Sequence, residues 1–162
     1  MMNDIKKEEA ISAELLTEFP FLGGNVNIQR ARRLWVETPA DKFDAVFRQI
    51  IDRFSFRILC TITGQDEKDF FSIIYHLSND NGIILNLKVK VQKSNPKWKS
   101  IGAQFPGGII YEREIADLFG IQIEGLPPGS RYPLPDNWPK CQYPLRKDWQ
   151  NTSLTSKAGG NA

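Results

Sequence analysis

The 162-residue chain has little of what metal and redox centres are built from. It contains two cysteines, Cys60 and Cys141, and a single histidine, His76. A structural zinc site or an iron–sulfur cluster needs about four clustered ligands. The sequence therefore predicts no metal and no cofactor in this chain. A catalytic set built on His76 is also disfavoured, because this residue lies in an alternating apolar run, where a hydrogen-bonded sheet histidine is the better interpretation.

Long apolar runs and nucleotide-binding loops are missing as well. The apolar stretches span a few residues, against the roughly 18 that a membrane-crossing helix needs. Residues 1–10 lack the apolar core of a secretory signal, and neither a P-loop nor a dinucleotide-binding fingerprint occurs. The net charge of +2 predicts no general attraction to nucleic acid or anionic lipid. We expect a cytoplasmic protein that is soluble or reaches a membrane only through its partners.

Residues 1–125 show the periodicities of a sheet with helices. Helices are predicted over 7–19 and from a Thr38–Asp41 start to Phe54, and strands over 26–29, 33–36, 56–63, 70–77 and 83–91. In the third of these strand patterns Phe56, Ile58, Cys60 and Ile62 are expected to share one side, and in the last Asn86 is expected to face water. The expected fold class is α+β: an antiparallel sheet with helices packed on one face, followed by an extended proline-rich C-terminal arm.

The stretch from Ser100 to Trp149 is the most distinctive part of the chain. A helix is predicted over 109–119, because Tyr111, Ile115 and Phe119 fall on one face and Gly120 suits a left-handed cap. After this helix, prolines are so frequent that the chain cannot form the backbone hydrogen bonds of a helix or a sheet. We therefore divide the chain into an α+β sandwich domain at 1–125, an extended interaction arm at 126–150, called the C-terminal arm below, and a disordered tail at 151–162.

The C-terminal arm carries aromatic and basic side chains but has too little aliphatic content for a core of its own. Such anchors are enriched at protein interfaces, so we predict that the arm lies along another subunit. The alternative is that it wraps its own domain, and we expect about half of it to do so. Together with the charged face of the helix, the candidate interface residues are Glu112, Arg113, Glu114, Asp117, Arg131, Trp138, Arg146, Lys147, Asp148 and Trp149.

Two segments of this stretch resemble a known family. Residues 111–121, Y-E-R-E-I-A-D-L-F-G-I, are similar to the E-R-E-x-x-D-hydrophobic-hydrophobic-G-I motif of the 30 kDa subunit of respiratory complex I, the NADH dehydrogenase of the respiratory chain. They also resemble the counterpart subunit of energy-converting, membrane-bound nickel–iron hydrogenases. Residues 143–149, Y-P-L-R-K-D-W, resemble the family's H-P-L-R-K-D-F/W segment. Leu126 replaces a histidine of the family pattern and the sequence stops soon after Trp149, which favours the hydrogenase branch.

The resemblance implies a non-catalytic structural and assembly subunit in the hydrophilic arm of an NADH:quinone oxidoreductase-like or hydrogenase complex. It implies docking on the large subunit, of 49 kDa or hydrogenase large type, beside an iron–sulfur subunit. Iron–sulfur clusters, with nickel–iron or flavin, are then expected in the partner subunits, and no active site is expected in this chain.

Two other functions can be argued from the residues. A single-stranded nucleic-acid-binding module could use sheet aromatics with Lys88, Lys90, Lys93, Lys97 and Lys99, although the near-neutral net charge argues against it. A stand-alone hydrolase could use Glu112 and Asp117 as acid and base. The hydrolase hypothesis requires a concave pocket over the helix, and salt-linked or interface carboxylates are the favoured interpretation.

Overall fold

The computed structural model describes residues 5–150, so the predicted tail at 151–162 lies outside the described residues. The helices are α1 (Lys6–Glu18), α2 (Phe43–Asp52) and α3 (Ile109–Phe119). The strands are β1 (Val26–Arg30), β2 (Arg33–Thr38), β3 (Ile58–Glu67), β4 (Phe70–Ser78), β5 (Ile84–Gln92), β6 (Lys97–Lys99) and β7 (Gln122–Glu124). The predicted α+β class is confirmed. A 3-10 turn at Ala40–Lys42 precedes α2, so α2 begins at Phe43, after the predicted start at Thr38–Asp41.

The main sheet is mixed, with strand order β1-β2-β5-β4-β3. β2 and β5 pair in parallel, while the other neighbours are antiparallel. The prediction of an antiparallel sheet was therefore wrong at this pairing. The reason is that α2 carries the chain from β2 to the far edge of the sheet, and a helical crossover joins strands that run in the same direction. The β3-β4-β5 meander then returns and places β5 beside β2.

The core lies between one face of this sheet and the helices. Its sheet side is formed by Phe71, Ile73, Tyr75 and Leu77 of β4 with Leu85, Leu87, Val89 and Val91 of β5, all buried. The ring of Phe43 in α2 lies 5.2 Å from Tyr75, and the ring of Phe119 in α3 lies 5.9 Å from Phe71. Both helices therefore cover the same face, as the alternation in β4 and β5 requires.

Side-chain orientations in two strands, β3 and β5, differ from the sequence-based expectation. A bulge in β3 between Leu59 and Thr61 reverses the alternation, so Ile58 is 52% exposed and Cys60 is exposed, while Leu59 packs against the core. Asn86 is 1% exposed on the other face of the sheet. It avoids the cost of burial because its Nδ2 donates to Leu34 O (3.2 Å) and its Oδ1 lies 2.7 Å from Nδ1 of His76.

A small parallel sheet of β6 and β7 flanks α3 and turns Trp98 and Ile123 into the core. Beyond β7 the described chain, up to Gln150, contains no helix or strand. Across residues 5–150, none of the helices combines the length and the apolar character required to cross a bilayer.

Candidate functional site

α3 is locked onto the sheet along its apolar face. It spans the predicted residues 109–119 and ends at Gly120, which adopts φ 69° and donates its N–H to Ala116 O (3.0 Å). Ile115 and Phe119 approach β3 so closely that a Cβ atom on Gly64 would lie 2.7 Å from the ring of Phe119. This contact leaves the charged side of α3 free to meet the C-terminal arm.

Glu112 points into the protein and joins α3 to the segment that precedes it. The residue is 2% exposed, and its two carboxylate oxygens accept hydrogen bonds from Ser100 Oγ and from the N–H of Ile101, both 2.6 Å long. Burial raises the pKa of the Glu112 carboxyl, and the two hydrogen bonds offset part of this effect. Glu112 therefore positions the loop within the chain and is not on the surface where the sequence placed it.

Arg113 holds the beginning of the C-terminal arm. Its guanidinium donates to the carbonyls of Pro127 (2.9 Å), Pro128 (3.1 Å) and Ser130 (3.0 Å). Gly129 lies against the guanidinium with no room for a Cβ atom. Because prolines lack the N–H groups needed for sheet pairing, the carbonyls of this segment have no backbone partners. Arg113 donates the hydrogen bonds that water would otherwise provide.

Asp117, one turn further along α3, holds the middle of the arm. Its Oδ1 accepts from Nε of Arg131 (2.7 Å), and its Oδ2 accepts from the N–H of Leu134 (2.9 Å). The same guanidinium donates to Trp138 O (2.9 Å). A charged residue of the arm and a charged residue of α3 are therefore paired with each other within one chain.

Arg146 caps the end of α3. Its Nε donates to Phe119 O (2.6 Å), and its guanidinium lies 5.1 Å from the centre of the Phe71 ring and 4.5 Å from that of Tyr143. The Tyr143 ring rests on Gly120, where a Cβ atom would lie 2.5 Å from it. Gly120 is therefore needed both for the left-handed cap of α3 and for the close contact with the Tyr143 ring.

Asp66 receives the last part of the arm. Its carboxylate accepts from the backbone N–H of Lys147 (2.8 Å) and from Nζ of Lys93 (2.8 Å), and Asp148 lies 3.7 Å from the same Lys93 nitrogen. Burial opposes ionisation of Asp66, but the bonds from Lys93 and Lys147 outweigh it and lower the pKa. The sequence does not predict this contact, because no local pattern indicates a partner 81 positions away in the chain.

The two tryptophans of the candidate set are paired within the arm. Nε1 of Trp149 donates to Oε1 of Gln142 (2.7 Å), Nε1 of Trp138 donates to Gln142 O (3.0 Å), and the ring centres are 6.3 Å apart. The arm makes turns closed by bonds such as Arg146 N–H to Tyr143 O (3.1 Å). It therefore lies along α3 in a series of turns, whereas the sequence predicted an extended arm.

We call a smaller set of exposed side chains on the arm the docking surface: Tyr132, Lys140, Leu145, Lys147 and Asp148. Glu114 of α3 is half-buried. Tyr132 and Leu145 are 42% and 52% exposed. An open groove of about 440 Å³ runs between α3 and the arm beside Tyr132 and Lys140. Most of the other residues in the predicted interface set use their polar atoms within the chain, so few of them are accessible, and the interface itself stays a prediction.

The two rival functions find little support in this geometry. Lys88, Lys90, Lys93 and Lys99 are each paired with a carboxylate, which removes most of the charge that a nucleic acid would need. Glu112 faces the interior and Asp117 is bound by Arg131, so the two carboxylates share no pocket. Within residues 5–150 no cluster of histidine, cysteine and acidic residues could hold a metal ion.

Comparison with known proteins identifies the family. Residues 36–154 match the profile of the respiratory-chain NADH dehydrogenase 30 Kd subunit. The protein belongs to this family. The predicted resemblance is thereby confirmed for a stretch that covers most of the chain and includes both α3 and the arm.

Relatives of this 30 kDa-subunit protein come from both branches that the sequence suggested. Formate hydrogenlyase subunit 5 of Escherichia coli K12 is 35% identical over 95 residues, which are 56% of this chain and 17% of the relative. A subunit of the NADH-quinone oxidoreductase of Moorella thermoacetica is 30% identical over 115 residues, 69% of this chain and 76% of the relative. This chain thus spans less than a fifth of the formate hydrogenlyase subunit. The preference for the hydrogenase branch stays a prediction.

A solved structure has the same fold over nearly the whole length. It belongs to the membrane-bound sulfane sulfur reductase, an archaeal respiratory membrane complex, and matches with a TM-score of 0.79 and 26% identity. The superposition covers 94% of this chain and 91% of the other. The arrangement of sheet and helices described above is therefore shared with a subunit of a respiratory membrane complex.

Proposed function

We propose that this protein is a non-catalytic structural subunit in the hydrophilic arm of a membrane-associated oxidoreductase complex of the NADH:quinone oxidoreductase or hydrogenase type. In this proposal it docks on the large catalytic subunit, beside an iron–sulfur subunit. The iron–sulfur clusters, with nickel–iron or flavin, belong to those partners. Membership of the 30 kDa subunit family and the relatives in respiratory and hydrogenase complexes support the class of complex.

The observation that carries the proposal is how α3 fixes the C-terminal arm. Arg113, Asp117 and the Phe119 carbonyl each bind a different part of the arm. A segment without helix or strand is thereby held in one shape before any partner arrives. Ordering a loop at an interface costs about 0.5–1.5 kcal/mol per immobilised side chain, so a surface ordered in advance binds more tightly.

The proposed mechanism is positional. The sheet and helices form a rigid body, and the docking surface attaches that body to the catalytic subunit in one orientation. Tyr132 and Leu145 offer the apolar contacts, and Lys140 and Lys147 offer the charges that select the partner. Electron transfer then takes place in the neighbouring subunits, and this protein keeps them aligned.

The proposal is tested by isolating the complex from the native cells through an affinity tag on the full-length protein. We expect the wild type to retain a large subunit and an iron–sulfur subunit, identified by mass spectrometry. The double variant Tyr132→Asp/Leu145→Asp should lose them, because removing apolar anchors at an interface weakens binding by about 2 kcal/mol or more, roughly 30-fold.

The control is Phe21→Asp, which makes one such substitution at a side chain that is 41% exposed outside the docking surface. It should retain the complex. Equal melting temperatures of the isolated variants establish that folding is unaffected. Recovery of the wild-type protein without any redox subunit, or substrate turnover by the protein alone, contradicts the proposal.

A further inference from the structure

The outer edge of β3 is open for pairing with another strand. β3 lies at the end of the sheet and pairs with β4 along its inner side. Among the described residues, the only other hydrogen bond to its backbone comes from the Tyr111 hydroxyl, which donates to Cys60 O at 3.3 Å. Unpaired N–H and C=O groups on an edge strand form a template for a further strand.

This edge also lacks most of the features by which proteins prevent the pairing of exposed edge strands, such as charged residues and prolines. The run from Ile58 to Gln65 contains no charged residue and no proline, and its bulge at Cys60 leaves the remainder regular. The opposite edge, β1, is only 5 residues long, ends at Arg30 and has α1 packed against it. The sheet is therefore protected at β1 and open at β3.

A groove beside this edge provides room for side chains. It has a volume of about 290 Å³ and lies between Thr61–Gly64 of β3 on one side and α3 with Leu145 on the other. Leu145, which lines the groove, is exposed, and so is Ile58 of β3. An added strand would bury these apolar side chains while its backbone pairs with β3.

The charge of the groove limits what can bind. Glu114 is the one charged side chain that lines it, and within residues 5–150 no lysine, arginine or histidine forms an ion pair with this carboxylate. A complementary occupant therefore carries a basic side chain opposite Glu114.

We propose that the β3 edge receives an extended segment of a partner protein, which adds to the sheet as a further strand. The segment places an apolar side chain against Leu145 and a lysine or arginine against Glu114. The inference rests on the proposed function, because the segment would belong to another subunit of the same complex. It assigns to β3 a contact that shares Leu145 with the docking surface and extends from there to the sheet edge.

The test is amide hydrogen exchange of the complex purified through a tag on the full-length protein, compared with the isolated full-length protein. Peptides covering 58–67 should exchange about tenfold or more slowly in the complex, because an added strand protects the outer amides. Peptides covering β1 serve as the control edge and should not change.

Each outcome is decisive. Unchanged exchange of 58–67 in a complex that retains the redox subunits overturns the β3 inference and leaves the proposed function intact. Failure to recover any redox subunit overturns both. Protection of 58–67 in the isolated protein also overturns the inference: if dilution removes it a second copy fills the edge, and if it persists on dilution the protein fills its own edge.

A charge reversal tests the partner's chemistry. Glu114→Lys should weaken binding of the segment about tenfold, seen as faster exchange in 58–67 or as loss of the complex. Glu124→Lys makes the same change at an exposed position in β7 and should behave as the wild type. Wild-type protection of 58–67 in the Glu114→Lys complex contradicts the proposed basic contact.

Discussion

Replacing Arg146 by alanine should detach the end of the C-terminal arm while the sheet and helices stay folded. Arg146 binds three groups: the carbonyl of Phe119, the ring of Phe71 and the ring of Tyr143. The first two belong to the domain body. The structure therefore predicts that this residue stabilises docking of the arm on its own domain, whereas the sequence suggested contact with a partner.

The size of the effect can be estimated from these contacts. A hydrogen bond from a charged donor contributes about 1.5–3 kcal/mol, and each guanidinium–ring contact at a half-exposed site about 0.5–1 kcal/mol. Because neighbouring contributions do not add fully, we expect a loss of about 2–3 kcal/mol in the free energy of arm docking. This corresponds to a roughly 30- to 150-fold larger population of detached arm.

Limited proteolysis with chymotrypsin measures that population, because cleavage of an opened segment follows the equilibrium amount of the open form. The aromatic cleavage sites in the arm are the same in all variants. Lys147→Ala is the matched control: it removes a charge at the neighbouring position, but its contact with Asp66 uses the backbone N–H, which alanine keeps. If Arg146→Ala and Lys147→Ala are cleaved at equal rates, Arg146 does not hold the arm.

Three further predictions concern the anchoring of α3 and the arm. Gly64→Ala should lower the free energy of unfolding in urea by about 1–3 kcal/mol, because the new Cβ atom meets the Phe119 ring. Gly107→Ala is the control and should change this free energy little, because no atom lies within 4 Å of the new Cβ. Equal effects of the two substitutions contradict the close approach of Phe119 to Gly64. Burial raises the folded-state pKa of Glu112 above its ordinary 4.5, so its contribution to stability is lost as pH rises through that raised value. Glu112→Gln should remove this decline, and unchanged pH profiles refute the prediction. The pKa of Asp66 is lowered below its ordinary 3.8, so its contribution to stability is lost as pH falls through the lowered value. Asp66→Asn should lower the free energy of unfolding by about 1–3 kcal/mol at neutral pH and make acid unfolding less dependent on pH. An acid unfolding curve identical to that of the wild type contradicts the contact.

The elements whose signals are local could be predicted from the sequence. α3 has its predicted bounds because its apolar periodicity is delimited by Pro106–Gly108 and by Gly120, all within a few residues of the helix. β5 buries the predicted Leu85, Leu87, Val89 and Val91 because strand alternation depends only on the backbone. The family motifs around α3 and Arg146 are also contiguous along the sequence, so the resemblance could be recognised from the residues alone.

Other features depend on residues that are far apart in the chain. The parallel pairing of β2 with β5 follows from where α2 delivers the chain, and the turned path of the arm follows from donors and acceptors on α3. Asp66 and Lys147 are 81 positions apart and meet through a backbone N–H that no side-chain pattern reports.

The sequence by itself determined the helix at 109–119, the α+β class and the family, because periodicity, caps and contiguous motifs act over a few residues. Only the tertiary structure decided that Glu112 faces inward, that Arg146 serves the protein's own arm and that β3 keeps a free edge. The physical reason is that a charged side chain binds whichever partner the folded chain brings within hydrogen-bonding distance, and that partner is set by the path of the whole backbone.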